Sequence, residues 1–512
     1  MPVVKTHGMD LGSWIARRAA ATPKLPALTF GEHTWTYREF ADRIDRMAAE
    51  LAAGGVCRGD RVGYAGFNHP DFLVTLFGAA RLGAAFVPLN WRLTADELGY
   101  ILADAQVHTL VADAERATVI EPVRAQAGLR RVIATAAAPG WELLDDLLAQ
   151  RPPIAEPVFA EPEDIAVIMY TSGTTGRPKG AMLTHANLFW NNVNALLTFD
   201  TSQNDVSLVC APLFHIGGLN VTTLLTLHKG GQIVLMPTFD PAEALRLIAE
   251  HRVSTMFGVP AMFLFMSQLP QFAETDLSSV RTFVCGGAPV PEPLIRCYAQ
   301  RGISFAQGYG LTETAPLALV LRPDEVGVKI GAAGNQTLPL SEVRLVDADN
   351  QPVPAGERGE ICVRGPQVMA GYWRNPQATA AVIDEQGWFH TGDIGRADDE
   401  GYVWVIDRVK DMVISGGENV YPAEVEDVLY AHPAIAEVAV VGTAHEKWGE
   451  AVTAVVALRP GATLELDELR EFARDKLAAF KLPIRLEFID ELPRTQSGKV
   501  VKYQLRESMS QH

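Results

Sequence analysis

At 512 residues the chain is too long for one hydrophobic core, so more than one domain is expected. Lys and Arg total 44 against 61 Asp and Glu, a formal charge of -17, which argues against nucleic acid or an anionic membrane as the main partner and for a small-molecule ligand. The five cysteines, Cys57, Cys210, Cys285, Cys297 and Cys362, are scattered, odd in number and without C-x-x-C spacing. They indicate neither a disulfide framework nor a zinc site, and a reducing cytoplasm fits.

The opening MPVVKTHGMDLGSW lacks the basic-then-apolar pattern of an export signal. Trp35 to Gly55 reads as a short strand, a helix with apolar i, i+3, i+4 spacing and a Gly stop; Arg61 to Asn90 continues with strand, helix and strand. Ala134 to Ala138 is read as a surface loop. The apolar run Ile165 to Met169 predicts a buried strand. Leu208 to Leu227 is uncharged and about long enough to span a membrane, but it contains Pro212, His215, Gly217, Gly218 and Asn220 and is better read as core and pocket lining. The strand and helix alternation recurs over 240–260 and 293–310. Large sheets covered by helices are therefore expected, with ligands gathering at strand C-termini. From Gly356 to Gly365 and Gly401 to Ile406 the pattern turns to short strands. Beyond Lys410, Pro422 opens a helix whose Val425, Val428 and Leu429 face a core, and 467–483 is a second helix ended by Pro483. The expected fold is α/β: a large N-terminal domain of helix-covered sheets with a β-rich subdomain (1–407), a hinge (408–410) and a small, mobile α+β C-terminal domain (411–512).

After the buried strand comes YTSGTTGRPKG, Tyr170 to Gly180. Small residues and hydroxyls after a strand let several backbone N–H groups face one anion, so phosphate is the first expectation. The spacing approaches a Walker A loop but departs from it twice. Pro178 stands for the second Gly and lacks an N–H, and Gly180 offers no hydroxyl to a metal, so an ordinary P-loop kinase is disfavoured. A flexible linker has similar composition; the position after a buried strand argues against one.

Further elements follow in order: PLFHIGGL (212–219), GGAPV (286–290), QGYGLTET (307–314), GERGE (356–360), WFHTGDIG (388–395), DRVKDMVISGGENVYP (407–422) and PRTQSGK (493–499). Together these resemble the adenylate-forming superfamily and, within it, the acyl-CoA synthetases, over nearly the whole chain. The resemblance implies an ATP-dependent carboxylic acid:CoA ligase with ATP, Mg²⁺ and coenzyme A as cofactor and co-substrates. It implies that Thr171, Ser172, Gly173, Thr174, Thr175, Gly176 and Lys179 hold the β- and γ-phosphates as a mobile clamp. Glu313 is implied as the Mg²⁺ ligand, and Thr312 lies at the α-phosphate. Gly287, Ala288 and Tyr309 are implied to face adenine, and Asp393 and Arg408 to hold the ribose. Lys499 is the implied cation between carboxylate and α-phosphate; without PRTQSGK around it, a C-terminal Lys would be read as solvated. His215, Gly217, Gly218, Gly308 and Gly310 are implied for the acyl pocket, although a His on an apolar run is more often wall than catalyst. Gly416 and Gly417 would pass pantetheine, with Glu418 and Asn419 beside them. Lys410 is the implied hinge.

Relatives that take acetate carry Trp where this chain has Gly310, and relatives that take dicarboxylates carry Arg at Gly308. Room without a cation is therefore expected here, which suits an apolar monocarboxylate larger than acetate. A medium or long alkyl acid is favoured over an aryl-propenoate such as a hydroxycinnamate, because Ile and Gly follow His215 with no added ring. An enzyme loading a separate carrier protein is the alternative, and a nucleotide-binding pseudoenzyme is disfavoured by Glu313 and Lys499. No nucleic acid and no transmembrane segment are expected; peripheral membrane contact and a homodimer are left open.

Overall fold

The computed structural model describes residues 8–171, 178–335, 338–408, 411–415, 418–445, 449–474, 476–477, 479–494 and 500–509. The chain divides into two compact units, Met1–Val343 with Val363–Phe389, and Arg344–Cys362 with His390–His512. In the first unit one eight-stranded sheet has the order Leu317–Leu321, Ser304–Gly310, Thr282–Gly286, Thr255–Gly258, Val206–Val209, Gln232–Leu235, Pro26–Phe30, His33–Thr36. Its inner strands run parallel and its two edge strands antiparallel. From Val206–Val209 the chain crosses to Gln232–Leu235 on one side and then returns to Thr255–Gly258 on the other. Crossovers that diverge in this way leave a crevice at the strand C-termini. The segment ending in His215 leaves the first of these strands, and Phe257 lies on the last.

The second eight-stranded sheet has the order Gly371–Tyr372, Lys179–Thr184, Ile165–Thr171, Ala85–Leu89, Arg61–Ala65, Thr109–Ala112, Arg131–Ala134, Glu142–Leu143. Helix Tyr37–Ala53 begins where Thr36 and Glu39 form a reciprocal capping box, and it buries Phe40, Ile44, Met47 and Leu51 at helical spacing. Helix Pro70–Ala80 is buried throughout. It lies close to Tyr37–Ala53 because Gly78 has no side chain: a Cβ there would stand 2.8 Å from Met47 Cγ.

The N-terminal turn is pinned by two histidines. Leu11 N donates to His185 Nδ1 at 3.0 Å, and Trp14 stacks on His228 with ring centroids 4.1 Å apart. Burial, more than any neighbouring charge, lowers both imidazoles to about 4.

Most residues of a four-stranded sheet, ordered Glu342–Val346, Arg358–Arg364, Phe389–Ala397, Val403–Arg408, fall in the second unit. That unit also contains a five-stranded sheet built on the long pair Ile435–His445 and Gly449–Leu458. Helix Pro422–Tyr430 starts at Pro422 as expected and is capped from a distant segment, Ala423 N donating to Asp407 Oδ2 at 2.8 Å. The second expected helix is shorter than its pattern. Leu466–Ala473 is helical, after which the chain turns so that Leu477 and Leu482 reach the core also lined by Leu469 and Ala473. One straight helix could not aim all four inward. The packing also groups 344–362 and 390–407 with the C-terminal residues, whereas the sequence reading placed them with the N-terminal ones.

The two histidines give the first unit an acid sensitivity of predictable sign. Their folded pKa lies below the unfolded value near 6.5, so stability is complete above that value and falls with pH toward 4 as the unfolded chain takes up protons. Between about pH 7.5 and about pH 5 each should cost about 2 kcal/mol. Urea unfolding of the wild type should show the loss, and a His185→Gln/His228→Phe double variant should flatten it from a lower baseline; an equal slope in both would refute it.

Candidate active site

The strand expected before the phosphate loop is Ile165–Thr171, and the chain returns antiparallel as Lys179–Thr184. Thr171 and Lys179 are cross-strand partners at the mouth of this hairpin. A Walker loop leads into a helix; here a strand follows. Ser172, Gly173, Thr174, Thr175 and Gly176 lie outside the described residues. Gly180 has a packing reason: a Cβ there would stand 2.7 Å from Ile168 Cγ2 and 3.1 Å from the Tyr170 ring, which is tied down by its hydroxyl donating to Asp104 Oδ2 at 2.5 Å.

Beside the hairpin, Gly371–Tyr372 adds to the edge of Lys179–Thr184, with Tyr372 opposite Ala181. The Lys179 ammonium lies 5.3 Å from the centroid of the Tyr372 ring, and the Tyr372 hydroxyl donates to Glu313 Oε1 at 2.8 Å. Burial and the adjacent Glu313 charge both raise the Tyr372 pKa, so the phenol keeps its proton as a donor. Glu313 itself is only 8 % exposed. It sits on a turn, Thr312–Thr314, whose return is fixed by buried asparagines. Asn220 Nδ2 donates to the Ala315 carbonyl at 2.6 Å, Asn191 Nδ2 donates to the Asn220 carbonyl at 3.1 Å, and Asn191 Oδ1 accepts from Leu317 N at 3.1 Å. Asn220 belongs to a π-helical stretch, Gly218–Thr223, just after His215. A carboxylate oriented in this way is a suitable hard-oxygen ligand for Mg²⁺. The sequence reading named Lys179, Thr312 and Glu313 and did not name Tyr372, which lies beside two of them and comes from MAGYWRNP, a segment without a phosphate-loop signature.

At the C-terminal edge of the parallel sheet, His215 is exposed, and Tyr309 and Gly308 are partly so. Gly287 and Ala288 are exposed past the end of Thr282–Gly286; Gly287 has φ +82°, a conformation that suits Gly. The expected acyl-pocket glycines differ among themselves. A Cβ on Gly218 would stand 2.2 Å from the Pro212 carbonyl oxygen, and one on Gly310 would stand 1.7 Å from that of Pro316. The room expected at these two positions is filled by backbone, so a Trp at 310 would displace the Pro316 segment rather than raise a pocket floor. Gly308 is more open, its nearest neighbour being Leu317 Cδ2 at 3.2 Å. Gly217 faces a ring: its Cβ would stand 2.8 Å from Phe257 Cε1, and a Cβ on Gly286 would stand 3.2 Å from Phe257 Cε2. Phe257 is partly exposed, and its ring stands between Gly217 and Gly286. The sequence reading looked for a ring only next to His215; this one comes from a strand 42 positions later (257 minus 215).

In the second unit, Asp393 is 5 % exposed on Phe389–Ala397, and its cross-strand partner is Arg408. The preceding turn is fixed at each residue. Thr391 Oγ1 donates to the Ile361 carbonyl at 2.7 Å, Gly392 N donates to Glu360 Oε1 at 2.9 Å, and His390 Nδ1 lies 2.8 Å from Glu360 Oε2. Gly392 has φ +71°, which explains the Gly of HTGD. Strands Val413–Ser415 and Glu418–Val420 pair with Ser415 opposite Glu418. Lys410, Gly416, Gly417 and Lys499, and the side chains of Arg408, Glu418 and Asn419, lie outside the described residues.

Comparison with known proteins agrees with this architecture. The AMP-binding enzyme family matches residues 15–373, and the AMP-binding enzyme C-terminal domain matches 424–499. A feruloyl-CoA synthase of Amycolatopsis sp is 47% identical over 98% of this chain and 99% of its own length. An indoleacetate–CoA ligase of Aromatoleum aromaticum is 43% identical over 98% of each chain. Among solved structures, a Mycobacterium tuberculosis fatty acyl CoA synthetase superposes with a TM-score of 0.82 at 36% identity, covering 98% of this chain and 99% of that one.

Proposed function

The chain belongs to the AMP-binding enzymes, in the acyl-CoA synthetase branch of the adenylate-forming superfamily, and on that premise we propose that its acid is an apolar monocarboxylate bearing an aromatic ring, an aryl-propenoate or an arylacetate. It is an acid–thiol ligase that uses ATP and CoA. The observation that carries the aryl reading is the Phe257 ring between Gly217 and Gly286. A flat ring entering beside it gains edge or offset stacking as well as apolar burial, whereas an alkyl chain gains burial alone. This reverses the alkyl preference drawn from the residues after His215. The relatives named for feruloyl-CoA and indoleacetate point the same way. Loading of a separate carrier protein is the less supported alternative. No disulfide joins any of the five cysteines, all of them among the described residues, which fits a reducing, cytoplasmic setting.

In the first half-reaction a carboxylate oxygen attacks the α-phosphorus of ATP, the bond to the bridging oxygen breaks, and pyrophosphate leaves. In the second, the CoA thiolate attacks the acyl carbon of the acyl-AMP and AMP leaves. Two anions must meet in the first step, so fixed positive charge and oriented donors lower its barrier. Lys179 and Thr171 stand at the hairpin mouth, where the β- and γ-phosphates would lie, and Lys499 is assigned to the meeting of carboxylate and α-phosphate. Mg²⁺ held by Glu313 would supply further charge neutralisation there. Thr312, next to that carboxylate, is assigned to the α-phosphate, and Tyr309, Gly287 and Ala288 to adenine. Asp393 and Arg408, paired across two strands, suit the two ribose hydroxyls. Gly416, Gly417 and Glu418 are assigned to the pantetheine path. One site serving two reactions needs Lys499 in the first and its removal for the second, a demand that rotation about Lys410 would meet.

A panel of carboxylic acids read by pyrophosphate release tests the substrate class. Ferulate or indoleacetate should exceed octanoate and dodecanoate in kcat/KM by about tenfold, the size of a stacking gain, and Phe257→Leu should lower the aryl value several-fold more than the alkyl value. Dodecanoate as the best acid, with an indifferent Phe257→Leu, would overturn the assignment. The two lysines separate the half-reactions. Lys499→Ala should lose about two to four decades of acyl-AMP formation and keep thioester formation from supplied acyl-AMP. Lys410→Pro, with φ fixed, should keep acyl-AMP formation and lose most thioester formation, with Lys410→Ala mild in both. Equal damage to both steps in either test would refute that residue's role.

A further inference from the structure

Three donor atoms of different chemistry converge on one face of the four-stranded sheet. Glu360 and Cys362 are two apart on Arg358–Arg364 and so project to the same side; His390 comes from the neighbouring strand Phe389–Ala397. The Cys362 sulfur lies 3.4 Å from His390 Nδ1, and Glu360 Oε2 lies 2.8 Å from that same nitrogen. One carboxylate oxygen, the sulfur and the nitrogen all fall within 4.8 Å of one another. This pattern is not that of a nucleophile triad, in which thiol and carboxylate take opposite nitrogens of the imidazole. Here both partners lie against the same nitrogen, so the three donor atoms are gathered closely enough to share one cation.

We propose that Glu360, Cys362 and His390 form a binding site for one thiophilic divalent cation of the Zn²⁺ class, with solvent as the remaining ligand. The sulfur–nitrogen edge of a tetrahedral zinc site is about 3.5 Å, close to the separation present, and the nitrogen–oxygen edge would open by about half an ångström. Cys362 is fully buried, while the Glu360 and His390 side chains are 24% and 22% exposed, so a cation can enter from solvent and end on sulfur. On binding, the thiol releases its proton to solvent and the Nδ1 proton moves to Nε2, leaving a neutral imidazole, a thiolate and a carboxylate around the cation. Glu360 Oε1 stays available to Gly392 N, so the cation would staple two strands without breaking the turn that presents Asp393. Sequence spacing cannot reveal such a site, because Glu-x-Cys on one strand and a His 28 positions later form no recognised ligand motif.

The test uses the full-length protein freed of metal by chelation and titrated with Co²⁺ alone. One equivalent should bind with a thiolate-to-cobalt charge-transfer absorption that Zn²⁺ displaces, and Zn²⁺ should raise the unfolding midpoint. Cys362→Ser and His390→Asn should abolish the absorption and weaken binding at least about tenfold, with metal-free circular dichroism checking that both fold. Glu360→Gln, which retains a side-chain oxygen for Gly392, should weaken binding and keep the thiolate band. Cys57→Ser, removing an exposed thiol 3.2 Å from Asp60 Oδ2, should change nothing. No thiolate band in the wild type, or a band that survives Cys362→Ser, would overturn the proposal.

Discussion

A carboxylate that is almost wholly removed from water is costly unless its charge is met. Glu313 is in that position, and a local cluster is built around it. The Tyr372 hydroxyl fixes one of its oxygens, the same ring lies under Lys179, and Tyr372 joins the strand that carries Lys179. Below the carboxylate, Asn220 and Asn191 take up the backbone of the returning turn. A hydrogen bond to a charged group contributes about 1.5–3 kcal/mol, so this cluster fixes the carboxylate relative to the hairpin that carries Lys179.

The crevice that this cluster serves follows from topology. Parallel strands bring His215, Phe257, Gly286 and Gly308 to one edge, and the divergence of the crossovers opens a gap there. Glycines on that edge have two different functions. Gly218 and Gly310 let backbone approach backbone, Gly217 lets a ring approach backbone, and Gly286 meets both, the Gly308 carbonyl oxygen at 3.1 Å and the Phe257 ring at 3.2 Å. Sequence alone cannot separate these cases, since each reads as an absent side chain.

The same limit runs through the comparison of sequence with structure. Strand and helix alternation, the strand Ile165–Thr171 and the helix opened by Pro422 were legible because each rests on local periodicity or a local helix-start signal. Phe257, Tyr372 and Asn191 were not, because each comes from a segment whose local pattern carries no ligand-binding signature; Asn220 fell in a stretch read as core and pocket lining, but its bond to the Ala315 carbonyl was not legible. The shortened helix at Leu466–Ala473 failed for a related reason: the burial of Leu477 and Leu482 overrode a helical pattern that continues past it. Glu360, Cys362 and His390 are legible only once two strands are paired.

That the Tyr372 hydroxyl orients Glu313 for Mg²⁺ is tested by ATP–pyrophosphate exchange with a saturating aryl acid, no CoA and Mg²⁺ as the variable, run on the wild type and on Tyr372→Phe. The wild type should exchange without CoA, and the variant, which keeps the ring under Lys179, should show an Mg²⁺ midpoint about tenfold higher with the rate largely restored at saturation. An unchanged midpoint, or a wild type that exchanges only when CoA is present, would contradict it.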